Sequence, residues 1–480
     1  MPIPRLIPSP VRRQEWRSNP PPALGTWTPH LSLTAVLPAK DCQGELNLTL
    51  AALAEQSYPA HLFDVIVVDD DSEVPLTLPD TRPSRTAILR LEPADGHGSG
   101  RARHAGALAS NGEVLLFLDA DMVTTRQHVE AHARWHHVIA DAVVVGRKYF
   151  VDFDGVNPDE ISSAVRHDQL DVLLYGRPRQ RHSWLEGFIE DSRQLTDWAA
   201  DTFIAVVGAN LSTPRALYQE SGGFSSMGIR GIVDTEFGYR IFTAGGVVLA
   251  EMESITFHQG ARHFAMRGDE IKRERLGLAA NYLPVPIFRP ANTGRSWAVP
   301  SVRVIVEASP EQDEHVLLTV DSVLGSSFTD LAVVVASHAG AQPQRWLIDY
   351  FAHDHRVSFT DNPVTSGFPS PFTAVVPAGT ALAHTTLAQL MQVSSDREVG
   401  LVRATLPDGV SGSSVELWAT RALHRARRHQ LGETLEQAAQ RLFGEFWLRG
   451  EDVGLRPVVL TVTRQGMIVN SEGPQVVPDA

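Results

Sequence analysis

Residues 113–122 read EVLLFLDADM, a short apolar run that ends abruptly in Asp119-Ala120-Asp121. Such a run, bounded by a sharp change to polar residues, reads as a β-strand. Two carboxylates one residue apart, where a strand gives way to a loop, can both reach a divalent cation, which prefers hard oxygen ligands. A cation held there can clamp a diphosphate and neutralise the charge that builds on it as it leaves. Acids at strand ends are common, so the triplet alone decides little. Its surroundings decide more.

Some fifty residues upstream, Phe63–Val68 (FDVIVV) is a second such strand, ending in Asp69-Asp70-Asp71-Ser72. Before it, Leu31–Leu37 (LSLTAVL) reads as a buried strand closed by Pro38. Asn47–Gln56 has helical spacing, with Leu46, Leu50 and Leu53 on one side, and Arg101–Ala109 is small and helical. Strand, helix, strand, helix, strand predicts an α/β fold with a mostly parallel, Rossmann-like sheet, whose ligands bind at the carboxyl ends of the strands. Both acidic clusters fall at such ends.

The triple acid at 69–71 could aim one carboxylate at a nucleobase N–H and another at ribose hydroxyls. Asp and Ser also build turns, and at least one of the three is assigned that role. Arg101 and Arg103 are candidates to balance the cluster or to bind phosphate. Further on, Val233–Arg240 (VDTEFGYR) follows a Gly222-Gly223-Phe224 loop. Asp234 and Glu236 would stand in the first turns of a helix, where acids suit the helix dipole. One of them, Asp234 in preference to Glu236, is the candidate general base for an acceptor hydroxyl. His258 closes a short apolar strand (Ile255-Thr256-Phe257) and is a candidate third metal ligand through a neutral ring nitrogen.

Taken together these segments resemble the family-2 glycosyltransferases of the GT-A fold, over about residues 31–265. LTAVLPAKD (33–41) looks like that family's opening strand and nucleotide-facing loop, which implies that Pro38 and Asp41 line the nucleotide. VVDDDS resembles the family's VVDDGS and implies that Asp70 contacts the base. Arg103-His104 stands where the family usually has Arg-Asn. LDADM resembles the D-x-D motif and implies that Asp119 and Asp121 hold Mn2+ or Mg2+, with Asp119 also on the donor. The stretch from Val207-Gly208-Ala209-Asn210 through Gly222-Gly223-Phe224 to DTEFGYR looks like the galactosyl- and N-acetylhexosaminyl-transferring members, including bacterial chondroitin-type polymerases. It implies sugar and acceptor contacts around Asn210 and Gly223. Those relatives open the helix with Glu-Asp; here Val233-Asp234 keeps only the second acid. His258-Gln259 resembles the histidine that completes their metal site, which implies a UDP-sugar donor. The family inverts configuration by direct displacement, so no nucleophilic residue is sought.

Residues 281–300, with four prolines, read as a linker, and residues 301–470 as a degenerate copy of the first domain (31–280). Ser301–Val306 matches the first strand, Val316–Leu324 the first helix, Asp330–Val335 the second strand and Phe372–Val376 the third. Ala419–Leu423 echoes Thr213–Leu217, and Leu460–Gly466 echoes Ser254–Gly260. This matching sets Val335 and Ala336 in place of Asp69 and Asp70, Pro377 and Gly379 in place of Asp119 and Asp121, and Arg464 in place of His258. The copy keeps the apolar frame and loses the acids. Bracing, dimer formation and partner binding remain open roles for it.

A net charge of −14 argues against a general nucleic-acid surface. The single cysteine, Cys42, allows no intrachain disulfide and fits a reducing, cytoplasmic location. No apolar run approaches the length of a membrane span. Residues 1–30, with eight prolines and four arginines, read as a mobile, solvated tail, with an arm touching the inner face of a membrane as the alternative. Residues 471–480 read as a second tail. Two rival functions stay open: a scaffold built on two inactive GT-A domains, and a sugar nucleotidyltransferase. The latter needs a glycine-rich loop after the first strand, where this chain has Pro38-Ala39-Lys40-Asp41.

Overall fold

The computed structural model describes residues 6–93, 98–198, 201–226, 232–260, 268–290, 294–308, 312–337, 343–362, 364–406, 414–462 and 468–470. The chain divides into two compact units, Met1–Phe242 with Gly246–Ala279 and Thr243–Gly245 with Ala280–Ala480.

In the first unit the strands are β1 (Leu33–Ala39), β2 (Phe63–Asp69), β3 (Thr86–Arg90), β4 (Val114–Leu118), β5 (Met122–Thr124), β6 (Ala142–Val151), β7 (Arg179–Arg181), β8 (Asn210–Pro214) and β9 (Val247–Gln259). They form one sheet in the order β3-β2-β1-β4-β8-β6-β9-β5, with β7 on the side of β6. β3, β2, β1 and β4 pair in parallel; β8 runs antiparallel between β4 and β6, and β6 and β9 are again parallel. The first unit is therefore a mixed α/β domain of GT-A type. Every residue of β4 is buried, as its unbroken apolar sequence requires of a strand covered on both faces. Helix α1 (Gln43–Leu53) sets Leu46, Leu50 and Leu53 into one core with Leu33, Leu37, Val65, Val67 and Leu116. Helix α2 (Ser99–Ala109) lies close on the sheet because Gly106 has no Cβ; one there would come within 2.4 Å of Val36. Two further helices frame the site, α3 (His128–His136) and α4 (Ile232–Thr243). The parallel arrangement brings Asp69–Ser72 and Asp119–Asp121 to the same edge of the sheet.

Several expectations are corrected. Pro38 does not close β1: the strand runs on to Ala39, with Pro38 opposite Val68. Pairing of β1 with β4 ends at Val36, so a missing N–H at 38 interrupts no ladder on that flank. Helix α1 starts four residues earlier than its leucine spacing suggested and stops at Leu53. The side chain of Gln56, beyond its end, instead ties the last turn of α1 at Ala52 to the loop at Thr125 and the start of α3 at Val129. β3, a half-exposed strand at the sheet's end, carries no apolar alternation and was not anticipated.

The N-terminal segment is not a solvated tail from residue 6 onward. Val11, Gln14 and Trp16 are buried. Trp16 meets Trp135 edge to face at 5.3 Å, Gln14 donates to the Val248 carbonyl, and the Gly25 amide and Trp27 indole both donate to Glu130. Burying one large apolar side chain is worth about 2 kcal/mol, so a few anchors hold down a segment whose composition alone reads as disordered.

The second unit contains β10 (Val302–Ala308), β11 (Leu331–Ser337), β12 (Val357–Thr360), β13 (Phe372–Pro377), β14 (Thr380–Ala381), β15 (Leu401–Thr405), β16 (Ser414–Ala419), β17 (Glu445–Leu448) and β18 (Arg456–Pro457). Its main sheet has the order β12-β11-β10-β13-β16-β15-β17, and β14 pairs with β18. Order and direction repeat the β3-β2-β1-β4-β8-β6-β9 part of the first sheet, including the antiparallel strand inserted between parallel ones. Among the described residues of 281–300, which fall in this unit, several are packed and do not read as a free linker: Leu283 is buried, and the buried Arg289 binds Asp330 at 2.7 Å and the carbonyls of Ala280 and Val299.

Hydrogen-bond register corrects part of the matching between the halves. Asp119 and Asp121 fall opposite Pro377 and Gly379, as the sequence suggests. The β2 comparison is two residues out: Val67 corresponds to Val335 and Asp69 to Ser337, and the counterpart of Asp70 lies outside the described residues. Pro214, not Thr213, corresponds to Ala419. His258 corresponds to Pro457 rather than Arg464, which lies outside the described residues. The bonds Gln259 N–H to Asp121 O (3.0 Å) and Val458 N–H to Gly379 O (2.8 Å) fix that last register. Alternating apolar runs can slide past one another in sequence; only the ladder pins them.

Candidate active site

At the end of β2 the three consecutive acids take separate tasks. Asp69 is buried and accepts from the amides of Ser72 and Leu76 and from Arg90 at 2.8 Å. Burial opposes its ionisation, but these donors outweigh that and hold its carboxyl below the ordinary value. Asp69 is thus the turn-builder. Asp71 sits in the left-handed region (φ 61°) and Lys40 donates to the carbonyls of Asp70 and Asp71. Asp70 points toward the start of α2, where it accepts from the Gly98 amide at 3.1 Å and lies 3.4 Å from Arg101. Asp41 (φ 50°) is exposed and accepts from the Glu73 amide at 2.7 Å, bracing the loop that follows β1.

The second focus is Arg103 on α2. Its guanidinium is buried, with one nitrogen 2.6 Å from Asp119 and another 3.0 Å from Asp234. One side chain therefore ties the end of β4 to the first turn of α4. Burial favours a neutral guanidine, but Asp234 and Asp119 outweigh it and hold Arg103 charged. Gly208, in the loop before β8, makes room for this arrangement: a Cβ there would lie 2.7 Å from both the guanidinium and Asp234 Oδ1. Glu236, one turn along, is buried in a different task. Both its oxygens meet Arg240, and Ser225 donates to it at 3.0 Å. Arg240 also donates to the carbonyls of Ser221 and Gly223, so Glu236 braces the glycine loop and faces no open space. Gly223 itself has φ 66° and packs on His104 and Tyr218.

Asp121 stands apart from Asp119. Its Oδ2 lies 3.2 Å from His258 Nε2, while its buried Oδ1 has no hydrogen-bond partner among the described residues. Poor solvation and then the neighbouring Asp119 charge push the Asp121 carboxyl up to about 7. Asp119 goes the other way: burial raises it, but Arg103 and Lys148 outweigh this and hold it low. Among the described residues no three acidic, histidine or cysteine side chains converge as a ready metal cage, because Arg103 draws Asp119 aside. The donor set still suits a divalent cation: two carboxylates, one imidazole, and one orphaned buried oxygen.

Residues 34–188 match the family model described as Glycosyl transferase family 2, a stretch running from β1 past Asp70, Arg103, Asp119 and Asp121. Over those residues the chain is similar to the family-2 glycosyltransferases. No curated protein matches this chain. Among solved structures, S. aureus TarS is 16% identical, with a TM-score of 0.36 over 52% of this chain and 39% of its own. The chain thus spans about two-fifths of that TarS chain. TarS residues 1–349 in complex with UDP-GlcNAc are 15% identical with a TM-score of 0.37 over 54% and 69%. The Pyrobaculum calidifontis mannosyltransferase PcManGT, in complex with GDP-Man and Mn2+, is 16% identical with a TM-score of 0.33 over 56% and 67%.

Within the first unit, Asn210 does not face a ligand. Its carbonyl oxygen lies 2.7 Å from His132 Nε2, and its amide reaches the carbonyls of Arg147 and Ser254. It anchors β8, beside the Ala209 carbonyl that accepts from the Asp119 amide. Behind it, His128, His132 and His136 on α3 are all buried, bonded to Ser254, to Asn210 and Ser212, and to Ser212. The spacing of four was visible in HVEAHARWH, but nothing in the sequence says what the rings meet. Lys148 on β6 was also missed. It pairs across the sheet with Thr256 as Phe150 pairs with His258, so Lys148, Phe150 and His258 share one face. Its ammonium lies over the Phe150 ring at 5.5 Å. Burial lowers its pKa, opposed by the nearby charges of Asp119, Asp234 and Asp121.

Proposed function

We propose that the first unit transfers a hexose or N-acetylhexosamine from a UDP-sugar to a hydroxyl of a saccharide or other acceptor, inverting the anomeric centre. The observation that carries this reading is the Arg103 clamp, which puts the Asp119 end of β4 and the carboxylate of Asp234 on one guanidinium. Leaving group and acceptor must meet opposite faces of one carbon, so a donor-side carboxylate and a base that close together suit a direct displacement.

In the reaction the acceptor oxygen bonds to the anomeric carbon as the bond from that carbon to the diphosphate oxygen breaks. UDP departs with the electron pair, and the acceptor's proton passes to Asp234. Asp234 Oδ1 is held by Arg103, and Oδ2, with no partner among the described residues, is the oxygen offered to the hydroxyl. Asp70 would meet the base. Asp119, Asp121 and His258 would hold a divalent cation, Mn2+ or Mg2+, which when bound supplies positive charge to the leaving diphosphate. The second unit, with Pro377, Gly379 and Pro457 at the equivalent positions, contributes no such chemistry.

The test is UDP release across a panel of UDP-sugars, with and without Mn2+. Wild type should release UDP from one sugar in a metal-dependent way. Asp234→Asn should lower turnover by about 10²–10⁴-fold while leaving UDP affinity intact. Metal-independent release, or equal turnover in Asp234→Asn, would rule the mechanism out.

A further inference from the structure

We propose that Lys148 is a phosphate ligand of the bound nucleoside diphosphate, an inference that rests on the reading of the first unit as a nucleotide-sugar transferase. Sequence pointed to Arg103 as a phosphate-binding cation, but both its terminal nitrogens are taken by Asp119 and Asp234, and one also meets Ser99. Buried Arg134 and Arg289 and half-buried Arg403 are likewise ion-paired: Arg134 with Glu251 at 2.6 Å, Arg289 with Asp330 at 2.7 Å, Arg403 with Glu416 at 2.6 Å. Lys148 differs. Among the described residues it makes no ion pair and no hydrogen bond, only the contact with the Phe150 ring. A partly buried ammonium without a close anion is costly, and a ring face compensates only in part.

Its position says which anion would meet it. Lys148 lies on the sheet face shared with His258, and the acids whose charge it feels most are Asp119, Asp234 and Asp121. That is where the diphosphate must lie for Asp119 and Asp121 to reach it through a cation. An ammonium is a point charge with three donors, suited to oxygens that move apart as the sugar bond breaks. The alternative is that Lys148 only offsets three crowded carboxylates from a distance. Its loss would then tighten metal binding and leave the nucleotide indifferent.

Calorimetric titration of UDP and of uridine into the full chain at saturating Mn2+ separates the two. Lys148→Met should weaken UDP by about 10–100-fold, the scale of a hydrogen bond to a charged group, with uridine unchanged; Lys148→Arg should recover most of the loss. Wild-type UDP affinity in Lys148→Met would overturn the proposal. So would an equal loss of uridine and UDP, which would mark a packing role. Failure of the wild type itself to bind UDP would instead overturn the reading of the whole site.

Discussion

Gly208 is the smallest group at the reacting end of the first unit, and the arrangement around it tolerates nothing larger. A methyl group there must displace either the Arg103 guanidinium or Asp234, and each is tied to the other. Gly208→Ala should therefore lower kcat by about 100-fold, as expected for a misplacement near 1 Å, with a melting temperature close to wild type; a large loss of stability with kcat intact would contradict the assignment. Asp121 offers a pH test. Its carboxyl titrates near 7 without metal, above the ordinary 3.8, so between those values the folded state binds more protons than the unfolded one. Relative to Asp121→Asn, which carries no titrating carboxyl, the metal-free protein should then lose stability as pH rises across that window. A cation competes with the same proton, so the rise in melting temperature on adding Mn2+ should be larger at pH 8 than at pH 6. An equal rise at both would separate Asp121 from the metal. Asp119, Asp121 and His258 stand out in the sequence as candidates because their types and strand-end positions are informative in one dimension, and Asp234 because it falls in the first turn of a helix. Lys148 does not, since a lysine in VVVGRKYF declares neither its face nor its lack of a partner. Glu236 and Asn210 read as site residues for the converse reason: their partners, Arg240 and His132, appear only in three dimensions.

At the scale of elements, α3 is the part of the scaffold that should respond to acid. His128, His132 and His136 stack at intervals of four residues against β8 and β9, all buried. Burial holds all three pKa values down, His132 to about 4 and the others well below their ordinary 6.5. The unfolded chain takes up these protons first, so the contribution of these three rings to stability is full above pH 6.5 and is lost as pH falls toward 4. His132 alone accounts for about 3 kcal/mol of that loss. Denaturant unfolding of Asp121→Asn between pH 4 and 7, which removes the opposing proton uptake at Asp121, should show it, and a flat profile would mean the rings are solvated. The long apolar strands β1, β2 and β4 could be read from sequence because continuous burial leaves a continuous apolar run. β3 and the N-terminal anchors could not, because an edge strand and a Pro-rich segment owe their order to what they lie on.

Across the whole molecule, one strand order occurs twice and acids occur at its functional edge once. The sequence exposes this duplication through its apolar runs, yet it misplaces the counterparts of Asp69 and His258, because register is a property of paired strands. Corrected register strengthens the contrast: Pro377, Gly379 and Pro457 offer no ligand where Asp119, Asp121 and His258 stand. The account's central claim is that nucleotide binding belongs to the first unit alone and depends on a cation held at the end of β4. Calorimetric titration of UDP into the full chain, with and without Mn2+, tests it most directly. The account predicts one UDP per chain, only with Mn2+, lost in Asp121→Ala and unchanged in Pro457→Ala. Two UDP per chain, or metal-dependent binding that survives Asp121→Ala, would contradict it.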